Sequence, residues 1–117
     1  MGLKAALSKP FAAWVVRKVD KWKYNAVKAQ HETFKSLIKA AKNTAFGKDH
    51  HFSSISSYDD FKRNVPIRDY EGLKPYIDRV VNGDENILWK GKPKYFAKTS
   101  GTTSGVKYIP ISKESMP

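Results

Sequence analysis

One stretch decides the interpretation of this chain: Thr99-Ser100-Gly101-Thr102-Thr103-Ser104-Gly105-Val106-Lys107. Small or hydroxylated residues fill its first seven positions, and a valine and a lysine close it. Apolar runs flank it, with Tyr95-Phe96-Ala97 before it and Tyr108-Ile109-Pro110-Ile111 after it. Because short apolar runs bounded by glycine and serine are typical of paired strands, the pattern predicts a strand, a loop and a second strand.

The loop has the composition of a site for a polyanion. Gly101 and Gly105 can take positive φ angles and leave room for a close-packed phosphate. Successive backbone N–H groups in such turns can form an anion-binding concavity, and hydroxyls can donate further hydrogen bonds. Lys107 adds a mobile positive charge at the loop exit. The candidate phosphate ligands are therefore Thr99, Ser100, Gly101, Thr102, Thr103, Ser104 and Gly105, with Lys107 beside them.

The order of residues differs from that of a Walker A loop. In that motif four residues separate the glycines, a lysine follows the second glycine directly, and a helix begins there. Here three residues separate Gly101 from Gly105, Val106 precedes the lysine, and a β-like run follows. A loop of this composition is also a common solvated turn without a ligand, and its composition leaves both interpretations open.

The chain is strongly basic. Its 117 residues include 22 Lys and Arg against 11 Asp and Glu, which gives a formal net charge of +11. This charge suits nucleic acid, an anionic membrane or an anionic substrate, and does not choose among them. A hydrophobic content of 40% argues against a disordered chain. Since cysteine is absent and no apolar run approaches roughly 18 residues, we expect a cytoplasmic protein without a membrane span.

Helical periodicity marks the N-terminal region. A first helix is expected over residues 10–22, with Pro10 in its first turn. Its basic residues, among them Lys18, are expected largely away from the apolar face. We interpret that face as a packed stripe, with a membrane-surface helix as the alternative. It consists of Phe11, Trp14, Val15, Val19 and Trp22. A second helix is expected over residues 24–43, and its predicted buried face consists of Val27, Phe34, Leu37, Ile38 and Ala41.

Three short segments are interpreted as connections. Gly47 is expected to end the second helix in a left-handed turn. His50-His51 is interpreted as part of a surface loop, because no Cys or Glu stands at metal-ligand spacing. Ile87-Leu88-Trp89 suits a strand or turn packed beneath the phosphate loop.

Capping residues predict two further helices. Ser56 or Ser57 is expected to cap a short helix over residues 58–63, whose early aspartates suit the positive helix N-terminus. Asp69 is expected to cap a helix over residues 70–82. The predicted fold class is α+β: helices over about 1–83, followed by a β-hairpin over about 87–112 that carries the phosphate loop.

Longer segments around the loop resemble a known family. These are Phe96–Gly105, Tyr108–Ser112, Val65–Ile77 and Asn82–Asp84. They are similar to the Gretchen Hagen (auxin-promoter) family of acyl-acid amido synthetases, in its bacterial form, within the adenylate-forming superfamily. The general superfamily pattern has a glycine directly after the two threonines, whereas Ser104 intervenes here, which favours the amido synthetase branch over acyl-CoA synthetases.

The resemblance implies an activity and a larger domain. A carboxylic acid would be adenylated with ATP and Mg²⁺, and an amino acid would then take the acyl group as an amide. Residues 99–105 would hold the β- and γ-phosphates, and Lys107 would be catalytic by neutralising the departing pyrophosphate. Residues 1–117 would be the N-terminal portion of a larger α/β adenylating domain, inactive alone, with no nucleic-acid partner expected. The alternatives are a basic helical module that binds anionic membrane or nucleic acid, and an inert fragment.

Overall fold

The computed structural model describes residues 2–101 and 105–117, in which helices precede a β-hairpin. Five α-helices occur in this part of the chain: α1 (Leu3–Lys23), α2 (Ala26–Ala41), α3 (Ala45–Asp49), α4 (Tyr58–Asn64) and α5 (Tyr70–Val81). Strands β1 (Tyr95–Gly101) and β2 (Gly105–Ile111) follow, and short 3-10 turns lie at Phe52–Ser54 and Lys113–Ser115. The predicted α+β class is confirmed. The chain divides into two compact units, with the boundary inside α2 between Lys35 and Ser36.

The first unit contains α1, which differs from its prediction in three ways. It begins at Leu3, so Pro10 lies inside the helix and not in its first turn; the preceding Lys, Ala and Leu residues are strong helix formers. None of its residues is buried, and Trp14 and Trp22 are 52% and 56% exposed, so the packed stripe was wrong. Lys18 lies between these tryptophans, with its ammonium 3.9 Å from the Trp14 ring centroid, contrary to the expected separation of basic residues.

Helix α2 buries only its C-terminal end. Ile38 and Ala41 are buried, as predicted, and both belong to the second unit. Val27 and Leu37 are 82% and 52% exposed, which contradicts the predicted face. Leu37 is adjacent to Ile38 and is therefore rotated about 100° around the helix axis, away from the side that the core covers.

The second unit holds the hydrophobic core. Apolar side chains that are less than a tenth exposed come from α2, from the 3-10 turn Phe52–Ser54 and the residue directly after it, from α5, and from the segment after α5. Phe46 of α3 joins them through edge-to-face contacts with Phe52 and Tyr76, with ring centroids 5.9 and 5.1 Å apart. The apolar core residues are Ile38, Ala41, Phe52, Ile55, Ile77, Val80 and Ile87.

Helix α3 is a short element that the sequence did not predict. Thr44 caps it, because its hydroxyl accepts a hydrogen bond from the Gly47 N–H at 3.0 Å. Gly47 is helical and buried, so the predicted left-handed end of α2 at this residue is wrong. A side chain here would collide with the carbonyl oxygen of Ala41. Glycine is therefore required for close approach of two backbone segments and not for a turn.

Both predicted caps are confirmed. Ser57 accepts a hydrogen bond from the Asp60 N–H, and the Asp60 carboxylate accepts one from the Ser57 N–H, which completes a capping box for α4. Asp69 caps α5 by accepting from the Gly72 N–H at 2.9 Å. Each cap fixes the first turn of its helix and therefore the position of the residues in that turn.

The connection from α5 to β1 contains no strand. Ile87 is only 3% exposed, and its carbonyl oxygen accepts a hydrogen bond from the Phe46 N–H at 3.0 Å. The carbonyl oxygen of Asn86 accepts a second from the Ala45 N–H at 2.8 Å. Two N–H groups of the first turn of α3, which have no partner within their helix, are satisfied in this way. Of the two predicted alternatives for this segment, the strand is wrong, and residues 85–91 form a series of bends.

Candidate functional site

The site predicted from the Ser/Thr/Gly stretch lies at the tip of the β-hairpin. Strands β1 and β2 pair antiparallel, with Thr99 opposite Lys107 and Gly101 opposite Gly105. Both strands extend further toward the tip than the sequence predicted, so most of the expected loop is paired backbone. The β-branched side chains of Thr99 and Val106 favour this extension. Thr102, Thr103 and Ser104, also predicted phosphate ligands, lie outside the described residues.

The pairing fixes which side chains share a face of the hairpin. Directly opposed residues lie on one face, and successive residues alternate between faces. Thr99 and Lys107 therefore lie together on one face, while Ser100 and Lys98 lie on the other. Thr99 and Ser100 are both exposed, so their hydroxyls are accessible from opposite sides.

Gly105 supplies the backbone freedom that the sequence predicted for it. Its φ is +80°, in the region that residues with a side chain rarely adopt. Among the described residues, and apart from its own chain neighbours, no atom lies within 4 Å of the position that a Cβ would occupy there. A close-packed anion could therefore approach the backbone at the start of β2.

Lys107 is half-buried and contacts α5. Its ammonium lies 5.5 Å from the centroid of the Tyr70 ring, which is a cation–π arrangement. Tyr70 is the first residue of α5 and directly follows the Asp69 cap. The ring therefore restricts where the lysine can place its charge.

Tyr70 also binds the backbone of β2. Its hydroxyl accepts a hydrogen bond from the Tyr108 N–H at 2.8 Å and donates one to the Tyr108 carbonyl oxygen at 3.3 Å. The sequence prediction of the site missed Tyr70. The only local signal was an aromatic residue directly after a helix cap, and nothing in the periodicity connects it with a strand 38 residues away.

The hairpin is a region of positive charge. Residues 94–113 include Lys94, Lys98, Lys107 and Lys113 and contain no Asp or Glu. The next acidic residue, Glu114, forms an ion pair with Lys90 at 3.4 Å. An excess of lysine with neutral hydroxyls suits a phosphate group, because the lysines supply charge and the hydroxyls supply directed hydrogen bonds.

Comparison with known proteins places this hairpin in a family. The profile described as the GH3 family N-terminal domain matches residues 15–117. The chain belongs to the GH3 family. The match includes the whole Ser/Thr/Gly stretch and Tyr70. It confirms the family to which the sequence motifs pointed and extends the likeness upstream into α1.

The relatives of this GH3-family chain include plant amido synthetases. Jasmonoyl–L-amino acid synthetase JAR6 of Nicotiana attenuata is 31% identical over 104 residues, which are 87% of this chain and 18% of that protein. Indole-3-acetic acid-amido synthetase GH3.15 of Arabidopsis thaliana is 41% identical over 59 residues, 49% of this chain and 10% of that protein. The 4-substituted benzoates-glutamate ligase GH3.12 of Arabidopsis thaliana is 46% identical over 48 residues, 40% of this chain and 8% of that protein. The chain thus spans less than a fifth of the length of these relatives.

A cluster away from the hairpin contains the histidine that the sequence assigned to a surface loop. His50 is 4% exposed and stacks on Phe46 with ring centroids 4.0 Å apart, so that assignment is wrong for His50. Its Nδ1 donates to the Phe46 carbonyl oxygen at 2.7 Å. Nearby, the Tyr76 hydroxyl donates to Asp49 at 2.7 Å, and burial followed by this contact raises the pKa of Tyr76. Across residues 2–101 and 105–117, no three His, Cys, Asp or Glu side chains converge as metal ligands would.

An apolar cleft of about 220 Å³ lies beside the base of the hairpin. Leu88, Trp89 and Pro110 line it, and Lys90 and Lys92 stand at its edge. Both lysines are engaged in ion pairs, with Glu114 at 3.4 Å and with Glu85 at 3.8 Å.

In the described part of the chain, no helix combines the length and the apolar character needed to cross a bilayer.

Proposed function

We propose that the native protein containing this chain is an ATP-dependent acyl-acid amido synthetase, to which the chain contributes a phosphate-binding hairpin. The observation that carries the proposal is the pairing at the hairpin tip. It places Lys107 on the same face as Thr99, next to a glycine with positive φ, within a chain that belongs to the GH3 family. The relatives named above are amido synthetases and a glutamate ligase, which supports a carboxylic acid and an amino acid as substrates.

The residues of this chain would hold the nucleotide and would not perform proton transfer. Hydroxyl and N–H donors of residues 99–105 would bind the β- and γ-phosphates, and Lys107 would neutralise charge on the pyrophosphate. ATP with Mg²⁺ supplies the activation: a carboxylate oxygen attacks the α-phosphorus as pyrophosphate leaves, and an amine then displaces AMP from the acyl carbon. The open space that the described residues leave at Gly105, the exposed hydroxyls and the lysine excess fit a triphosphate.

Four further assignments are parts of the same proposal. Magnesium would be held mainly by the phosphates, as is common at nucleotide sites. A cytoplasmic location and the absence of a nucleic-acid partner remain predictions. Membership of the bacterial form of the family also remains a prediction, since the relatives named above come from plants.

The arrangement of α1 favours the proposal over the membrane-helix alternative. An interfacial helix needs one apolar face and a separate basic face. Trp14, Lys18 and Trp22 follow one another at steps of four residues, so a charged residue lies inside the aromatic row. The Lys18 ammonium contacts the Trp14 ring, so lipid could reach that ring face only by displacing the ammonium.

Exchange of labelled pyrophosphate into ATP tests the proposal on the native protein. Exchange should require a carboxylic acid, and a panel of aromatic and aliphatic acids would be supplied. Lys107→Ala should lower the exchange rate by about 100-fold, the size typical of removing one transition-state charge partner. Lys39→Ala is the matched control, because Lys39 is exposed on α2 and lies outside the hairpin, and it should retain activity within about 3-fold.

Two results would overturn the proposal. One is the absence of exchange with every acid tested, in protein that remains folded by circular dichroism. The other is equal exchange by the wild type and Lys107→Ala, which would remove the hairpin from the nucleotide site.

A further inference from the structure

Tyr70 binds backbone groups on the outer edge of β2. In the two-stranded sheet, the edge of β2 that faces away from β1 has N–H and C=O groups without a strand partner. The Tyr70 hydroxyl binds both such groups of Tyr108, at 2.8 Å and 3.3 Å. One side chain thus takes the place that a third strand would occupy at this position.

Along β2, successive backbone N–H groups face β1 and the outer edge in turn, and this alternation explains why a proline is tolerated there. Pro110 lies two residues after Tyr108, so it has the same phase in the ladder and its nitrogen faces the outer edge. Its missing N–H removes no bond to β1. The outer edge of β2 therefore offers no donor at Pro110, whereas Tyr108 offers both a donor and an acceptor, and the Tyr70 hydroxyl binds both.

Tyr70 is itself held firmly. Asp69 caps α5 one residue before it, and Ile77 and Val80 anchor the helix in the core of the second unit. From this position the ring contacts the Lys107 ammonium while the hydroxyl binds the next residue of the strand. The Tyr70 side chain thus contacts both the backbone of β2 and the charged group of Lys107.

We infer that Tyr70 is a positioning residue, which holds β2 against α5 and restrains the Lys107 ammonium on the face that it shares with Thr99. The inference rests on the proposed function for its effect on catalysis, and on the contacts above for its effect on the hairpin. Tyr70 does not touch the nucleotide in this scheme. It acts through Lys107.

Two substitutions separate the hydroxyl from the ring. Tyr70→Phe removes both hydrogen bonds and keeps the cation–π contact, whereas Tyr70→Leu removes both kinds of contact. In pyrophosphate exchange, Tyr70→Phe should lower kcat/KM by about 5-fold, the effect of a typical hydrogen bond. Tyr70→Leu should lower it more. Tyr58→Phe and Tyr58→Leu are matched controls, because Tyr58 also carries a lysine over its ring, at 5.1 Å, but lies on α4.

A double-mutant cycle distinguishes positioning from a general structural role. If Tyr70 acts through Lys107, then Tyr70→Leu should change exchange less than about 2-fold when Lys107 is already alanine. Full additivity of the two substitutions would overturn the inference. So would unchanged kcat/KM in Tyr70→Leu with an active wild type.

Amide hydrogen exchange decides the question independently of activity. The Tyr108 N–H should exchange at least about 10-fold faster in Tyr70→Phe than in the wild type, while the amides of α4 remain unchanged. Unchanged protection at Tyr108 would overturn the inference. If the wild type shows no pyrophosphate exchange, the proposed function fails, and this measurement alone still confirms or rejects the role of Tyr70.

Discussion

Both units of the chain contain aromatic residues, but the environments of these residues differ. In the first unit, Phe11, Trp14 and Trp22 recur at helical spacing and all remain more than half exposed. In the second unit, Phe46 contacts both Phe52 and Tyr76 and helps enclose the core. The difference teaches that helical periodicity specifies which residues share a face, whereas burial depends on elements that are distant in sequence.

The helix starts differ in the same way. Helix α1 begins at Leu3, its N-cap Gly2 makes no side-chain capping bond, and its first turn has no acidic residue. Helices α4 and α5 follow the N-caps Ser57 and Asp69, each of which accepts a hydrogen bond from the first turn. Local signals and tertiary packing therefore agree in the second unit, and that agreement is what a well-defined fold requires.

The largest expected contrast is between core truncations in the two units. Ile87→Ala should lower the free energy of unfolding by about 3 kcal/mol, because it leaves a cavity at a residue that is 3% exposed. Leu7→Ala should change it by less than about 0.5 kcal/mol, since Leu7 is 69% exposed. Urea unfolding followed by circular dichroism measures both. Equal losses would show that α1 is packed as firmly as the core.

A pair of glycines gives the next largest contrast. Gly47→Ala should cost about 2 kcal/mol, although alanine is the better helix former, because the new methyl group meets the Ala41 carbonyl oxygen. Gly2→Ala has nothing within 4 Å of its new methyl group and should be close to neutral. Thermal unfolding of both variants provides the test. A stabilised Gly47→Ala would mean that the backbone can separate there without cost.

Local interactions account for what the sequence predicted well. The caps at Ser57 and Asp69 join residues three apart, and the hairpin follows from alternation around a glycine-rich turn. Thr99 and Lys107 lie opposite each other in the hairpin, and the sequence could not show that they pair as strand residues. The order of residues predicts caps and hairpins because each of these interactions forms within one short segment.

Long-range contacts account for what the sequence missed. Tyr70 binds Tyr108 across 38 residues, and no pattern in either segment encodes that meeting. His50 is buried beside Tyr76 of α5, with ring centroids 6.3 Å apart, and Gly47 is required because its backbone approaches that of Ala41 in α2. In each case the deciding partner belongs to another element, which periodicity and capping rules cannot identify.

The smallest expected effect concerns acid sensitivity at the start of α4. Hydrogen bonds, the Ser56 backbone N–H first among them, lower the pKa of Asp60 from 3.8 to about 2. Because the folded pKa lies below the unfolded one, the stabilisation is complete above about pH 4 and is lost as the pH falls toward 2. Ser56→Ala should raise the Asp60 midpoint slightly, since it removes one of these bonds, at 2.9 Å. Ser53→Ala, in the preceding 3-10 turn, should leave it unchanged. A carboxyl titration by NMR measures the midpoint in each variant. A wild-type midpoint at or above 3.8 would show that the capping box is open in solution, and the second unit would then share the uncapped helix start of the first.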